Sequence, residues 1–342
     1  MASPQSAEIV ALLRSGQVVD IGGGPRLHAR KSQPAALPVV LAFAAVYLIW
    51  GSTYLGIRYA VESIPPLLMM GMRHLIAGSL VFLWARRRGI PPPTTKQWAY
   101  AGVAGALLFL GGHGSLAWAE QKVPSGLAAL LCATLPLWTV MLGRLQGSER
   151  ALGGRAWAGL LLGFAGVGLL IAPDLRQAGS VISLLPTLGV LASAFSWSVG
   201  TIYTRSVKMP SSTVLAAAME MMAGGVLLLA LGTIVGEGGH LRLASLTLKS
   251  VLALAYLTVF GSIVAFTAFT WLQTVTSAAR VSTYAYVNPV VAVFIGWALA
   301  GEAIGAHTLL ATVVILAGVA LVNTRSASKA RPVLPQELEE VG

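Results

Sequence analysis

The sequence predicts an all-α integral membrane protein, ten transmembrane helices built as two inverted five-helix repeats. Three observations carry that expectation. The 342-residue chain is 56% apolar and only 10% charged, against about 25% charged in a typical soluble domain, with a mean hydropathy of +0.77. It holds ten apolar stretches of the length a bilayer core of about 30 Å demands, roughly 20 residues each. Its second half also lies on its first in register.

The stretches run near residues 37–59, 67–85, 97–117, 124–143, 156–172, 183–204, 213–235, 249–271, 279–300 and 307–323. They are unbroken rather than alternating, so helices, not a closed barrel, are expected to satisfy the backbone in lipid. Residues 1–36 read as a flexible cytosolic extension. Their one apolar run, Ile9 to Leu13, is too short for a signal peptide, and Gly22, Gly23 and Gly24 follow it. Residues 324–342 read as a disordered cytosolic tail.

The net charge of +11 is distributed by side. Seventeen Lys and Arg fall at one set of helix ends: Arg14, Arg26, Arg30, Lys31, Arg86, Arg87, Arg88, Lys96, Arg144, Arg150, Arg155, Arg205, Lys208, Arg280, Arg325, Lys329 and Arg331. The opposite ends hold five, namely Arg58, Lys122, Arg176, Arg242 and Lys249. This bias places both termini in the cytoplasm of a cell with the protein in its inner membrane. It accounts for the basic balance without nucleic acid.

Duplication shows in two offsets. Shifting by 147 residues lays Trp50 on Trp197, Arg58 on Arg205, Met72 on Met219 and Gly78 on Gly225. Shifting by 153 lays Trp118 on Trp271, Pro136 on Pro289, Gly143 on Gly296 and Glu149 on Glu302, and a one-residue gap then brings Gly166 onto Gly318. The repeats are 37–172 and 183–323. Five spans is an odd number, so the second copy enters the membrane upside down, the arrangement alternating access requires. A substrate site near the midplane and a gradient-driven transporter follow, since no nucleotide-binding motif is present.

Charge inside a span costs roughly 2.5–3.5 kcal/mol on insertion scales. Arg73 and His74 in the second stretch and Glu220 in the seventh carry that cost, and Arg73 and Glu220 are equivalent in the repeat. They are expected either to face a central cavity, pairing or meeting a zwitterionic substrate, or to serve as separate structural contacts. Glu220 and His74 are the candidates for proton coupling; uniport and exchange stay open. Pro136 and Pro289 are expected to kink their helices and free carbonyls. Beside them Thr134, Trp138, Tyr284, Tyr286 and Asn288 line a cavity or simply pack. Trp50 and Trp197 lie roughly 12 Å from their helix ends, below an interfacial belt; with Tyr54 and Thr201 they are cavity or packing residues. Trp118 and Trp271 read as interfacial anchors. Glu149 and Glu302, at helix–loop junctions, read as caps or gate salt bridges. Gly111-Gly112-His113-Gly114-Ser115 lies inside an apolar span, where glycine permits close helix approach. No metal site, cofactor or catalytic constellation is expected: the five histidines lack ligand spacing and Cys132 is the single cysteine.

The segment Trp50-Gly51-Ser52 through Arg58, the Met72-Arg73-His74 helix, and the runs Ala128 to Glu149 and Val281 to Glu302 together resemble the EamA family of the drug/metabolite transporter superfamily. Each run has a small-residue approach, a central proline and a closing glutamate. Gly301-Glu302 keeps the family's ending, while Gly147-Ser148-Glu149 departs from it. The resemblance covers residues 37–323. It implies a secondary transporter, not an enzyme, exporting a small organic metabolite such as an amino acid; the alternative is a broad drug or toxic-compound efflux transporter. An intramembrane binding or receptor protein, or an enzyme on lipid-linked substrates, are the non-transport alternatives. The sequence sets no oligomeric state.

Overall fold

A computed structural model describes residues 36–145, 154–176, 184–276, 281 and 283–323. Ala42 onward forms one unit; of the first unit, which ends at Leu41, only the opening of α1 is described. Helices make up the framework and no strand occurs among the described residues. In chain order these are α1 (Ala36–Ala60), α2 (Pro66–Arg87), α3 (Thr95–Glu120), α4 in two pieces (Ser125–Cys132 and Leu135–Leu145), α5 (Gly154–Arg176), α6 (Leu184–Ser206), α7 (Thr213–Ile234), α8 (Leu248–Tyr256, continuing to Val275), α9 (Tyr284–Ala300) and α10 (Ala306–Asn323).

Seven of the described helical segments are long and apolar enough to cross a membrane; the shorter apolar helices are Trp157–Leu169, Val287–Ala300 and Ala306–Leu321. Exposed Leu161, Ile234, Phe294, Leu299 and Val313 would be a liability in water and are at home in lipid. The protein is a multi-pass membrane protein.

Helix ends are fixed by local chemistry. Thr94 and Gln97 make a reciprocal capping box at the start of α3. Ser212 and Thr247 cap α7 and α8 through their hydroxyls. Glu237, beyond α7, accepts from the backbone amides of Leu67 and Leu68 at 3.2 and 3.0 Å, so the start of α2 is capped by a residue far along the chain.

Two helices change pitch midway. Ala106–Gly114 in α3 and Leu257–Val264 in α8 are π-helical, each widening one stretch of an otherwise α-helical segment. Such stretches displace carbonyls from their usual partners and concentrate at functional sites.

Lipid provides no hydrophobic force between helices, so close backbone approach has to hold them. A β-carbon at Gly78 would stand 2.9 Å from the backbone nitrogen of Met222, and one at Gly225 2.6 Å from that of Leu75. In the 147-residue register Leu75 and Met222 are equivalent, so α2 and α7 touch through the same pair of positions twice. α5 and α10 repeat the pattern: Gly166 faces the Ile315 backbone at 2.9 Å, and Gly318 packs on the Gly163 backbone. Replacing Gly225 by alanine is expected to cost about 1–3 kcal/mol through overpacking, read as a lowered Tm of the detergent-solubilised protein. The control Gly102→Ala, where no atom lies within 4 Å, is expected to hold or raise Tm.

Candidate functional site

Arg73 is 4% exposed and is held from across the bundle. Its Nε donates to Ser262 Oγ at 2.9 Å, and Nη1 has only the Met70 sulfur, 3.9 Å away. Ser262 and Gly261 belong to the π stretch of α8. That stretch leaves the Gly261 carbonyl free to accept from Trp50 Nε1 at 3.0 Å. It also brings Gly261 so near the guanidinium that a β-carbon there would stand 3.1 Å from Nη2. Trp50 in turn meets Phe269 and Tyr284, ring centroids 5.0 and 5.3 Å apart. A buried cation on α2 thus lies beside the stretch of α8 that also anchors an aromatic cluster drawn from α1, α8 and α9.

The π stretch of α3 does the matching work. Trp197 packs 3.1 Å from where a Gly112 β-carbon would lie and 4.7 Å, centroid to centroid, from His113. Ser196 Oγ donates to the Leu107 carbonyl at 2.7 Å. His113 Nδ1 and His74 Nε2 share a 2.8 Å hydrogen bond with their rings stacked, and Phe109 covers His74. The repeat-equivalent tryptophans therefore each pack on the opposite half's π stretch.

The remaining expected residues divide. Thr134 Oγ1 donates to the Leu131 carbonyl at 2.7 Å and accepts from Trp138 Nε1 at 3.2 Å; Trp138 sits between Phe164 and Phe195, a separate cluster. Thr201 donates to the carbonyl of Trp197 on its own helix. Tyr54 and Trp197 are partly buried against the core. Asn288 is buried, and its Oδ1 has no partner among the described residues. Glu220 is half-buried on α7, and among the described residues no ion pair joins it to Arg73. The Tyr286 side chain and Glu149 lie outside the described residues. Around Pro136 the helix breaks at Ala133–Thr134 and restarts at Leu135, so the proline opens a helix, where its missing N–H costs nothing. Pro289 lies inside α9.

Glu302 has the most contacts of any carboxylate described. Its oxygens accept from Ser125 N and Oγ, both at 2.8 Å, and from Gly126 N at 2.9 Å, with Arg58 Nε 3.7 Å away. Gly301, at φ +64°, turns the chain left-handed so that the carboxylate comes back onto α4. Gly296 leaves the room: a β-carbon there would stand 2.5 Å from Glu302 Oε2. An anion on a helix N-terminus is favoured by both free amides and dipole. Two functional candidates escaped the sequence reading. His113 was hidden among glycines, and Glu120 lay just past the expected end of its span; a buried helix end was the signal that could have found it.

Compared with known proteins, the chain matches the model of the EamA-like transporter family over residues 37–172 and again over 184–324. It is 39% identical to the uncharacterized inner membrane transporter YedA of Escherichia coli (strain K12), over 89% of this chain and 97% of that one. It is 26% identical to the "Probable amino-acid metabolite efflux pump" of Salmonella typhimurium (strain LT2), covering 80% and 90%. A crystal structure 22% identical shares the fold at a TM-score of 0.58, over 84% of this chain and 97% of the other. Glu302→Ala, which removes three hydrogen bonds to a charged acceptor, is expected to destabilise the protein by roughly 2–4 kcal/mol. Thermal unfolding in detergent checks it, with Glu302→Gln recovering part of the loss.

Proposed function

The chain belongs to the EamA-like transporter family and is a small-molecule transporter, and from that premise we propose a secondary transporter that exports an amino-acid-like metabolite by alternating access. The observation that carries the substrate class is Arg73. Its guanidinium is buried, in contact with a hydroxyl and a sulfur and, among the described residues, with no carboxylate. An uncompensated charge at that depth is costly, and a substrate carboxylate would supply the missing partner. The aromatic wall of Trp50, Tyr284 and Phe269 suits an apolar body. The name of the Salmonella relative points the same way.

Ten spans in two inverted repeats, 37–172 and 183–323, suit this mechanism. The reciprocal contacts of α2 with α7 and of α5 with α10, and the double match to the family model, support that reading. With both termini cytoplasmic in the inner membrane, as the Lys and Arg bias indicates, Glu302, Arg58 and Ser125 close the outer end. Energy comes from a gradient, and Glu220 and the His74–His113 pair are the candidate proton carriers.

The test is untargeted profiling of culture medium from cells expressing the intact protein, Arg73→Ala at equal membrane abundance, or an empty vector. One class of carboxylate-bearing metabolite is expected to accumulate with the intact protein. Loss of the charged contact lowers that export by about 10- to 100-fold. Matching profiles for intact protein and vector would overturn the export reading.

A further inference from the structure

Glu120 closes α3, is 1% exposed, and among the described residues neither of its carboxylate oxygens has a hydrogen-bond partner. Three costs therefore fall on its negative charge. Burial removes water, no donor replaces it, and the C-terminal end of a helix dipole repels an anion. The charged groups within electrostatic reach are Glu302, a second anion, and the cations Arg58 and Arg73; the side chains of both cations are engaged elsewhere. Arg58 holds Glu302 and the Val123 carbonyl, while Arg73 holds Ser262. The ion pairs among the described residues, Arg58–Glu302 and Lys249–Glu62, do not include Glu120.

The same neighbourhood leads back to the site. Glu120 interacts electrostatically with Tyr54 and Cys132, and Tyr54 with Tyr284. Tyr284 meets Trp50, which holds the carbonyl next to the serine that holds Arg73. A buried anion and a buried cation thus lie within electrostatic reach of one another, and among the described residues no ion pair joins them.

We propose that Glu120 receives the cationic group of the substrate, so that a zwitterion is bound with its ammonium on Glu120 and its carboxylate on Arg73. This deepens the export reading and rests on it for the carboxylate end. The arriving ammonium takes the place of the proton that the carboxyl otherwise holds.

The test uses the full-length protein in proteoliposomes and dicyclohexylcarbodiimide, an apolar reagent that modifies protonated carboxyl groups in membranes. Modification at Glu120 is followed by peptide mass spectrometry, and Glu120→Gln confirms the assignment. L-Phenylalanine and phenethylamine, which carry the ammonium, are expected to protect. At about ten times its half-protecting concentration each slows modification roughly tenfold. N-Acetylphenylalanine, which keeps the ring and the carboxylate but has no cation, is expected not to protect. No modification at Glu120, no protection by phenethylamine, or equal protection by N-acetylphenylalanine would each overturn the proposal. A protein that exports an amino acid without this protection fails the Glu120 assignment alone; protection without export fails the export reading alone.

Discussion

Close backbone approach is the constraint on which the rest of this structure depends. In water, apolar faces find one another because water expels them; in lipid they are solvated already, so cohesion comes from contact at short range. Here the helices come nearest where side chains are absent, at Gly78 and Gly225 between α2 and α7, and at Gly163, Gly166 and Gly318 between α5 and α10. The distances leave no room for a methyl group. Each of these contacts recurs with the roles of the two helices exchanged.

The polar anchors sit where this packing leaves backbone groups unpaired. Glu302 and Glu237 each reach a distant helix N-terminus, satisfying amides that lipid would leave unpaired. Trp50, Ser196 and Arg73 meet the two π stretches in the same spirit. The side chains that sequence logic picks out for function are thus also among those that stitch one half to the other.

Much of this was legible in the sequence. The stretch expected near 213–235 is Thr213–Ile234, and that near 67–85 is Pro66–Arg87, because length and hydropathy set spans directly. Arg73 stood out because a charge in an apolar run is expensive, and Glu302 because a glutamate after glycine at a helix end is a capping pattern. The π stretches were not legible: a change of helical period alters no residue type, and the few polar residues of these runs, His113 in one and Thr258 and Ser262 in the other, are too sparse to mark it. Glu120 was missed because the apolar count stops a few residues before the helix does. Nor could the sequence tell Pro136 from Pro289, since whether a proline begins a helix or sits within one depends on the backbone before it.

The π stretch in α3 also sets an angular phase. Each residue of an α-helix turns the chain by about 100°, so the residue accommodated within Ala106–Gly114 decides which way everything beyond it faces. With that residue in place, Glu120 points into the protein while Trp118 emerges at the surface. Shorten the stretch to regular α-helix and every residue beyond it would turn by about 100°, taking Glu120 out of its present sector. The inward aim of a single acid at the end of this helix is therefore set by a segment that ends at Gly114, before the last turns of the helix begin.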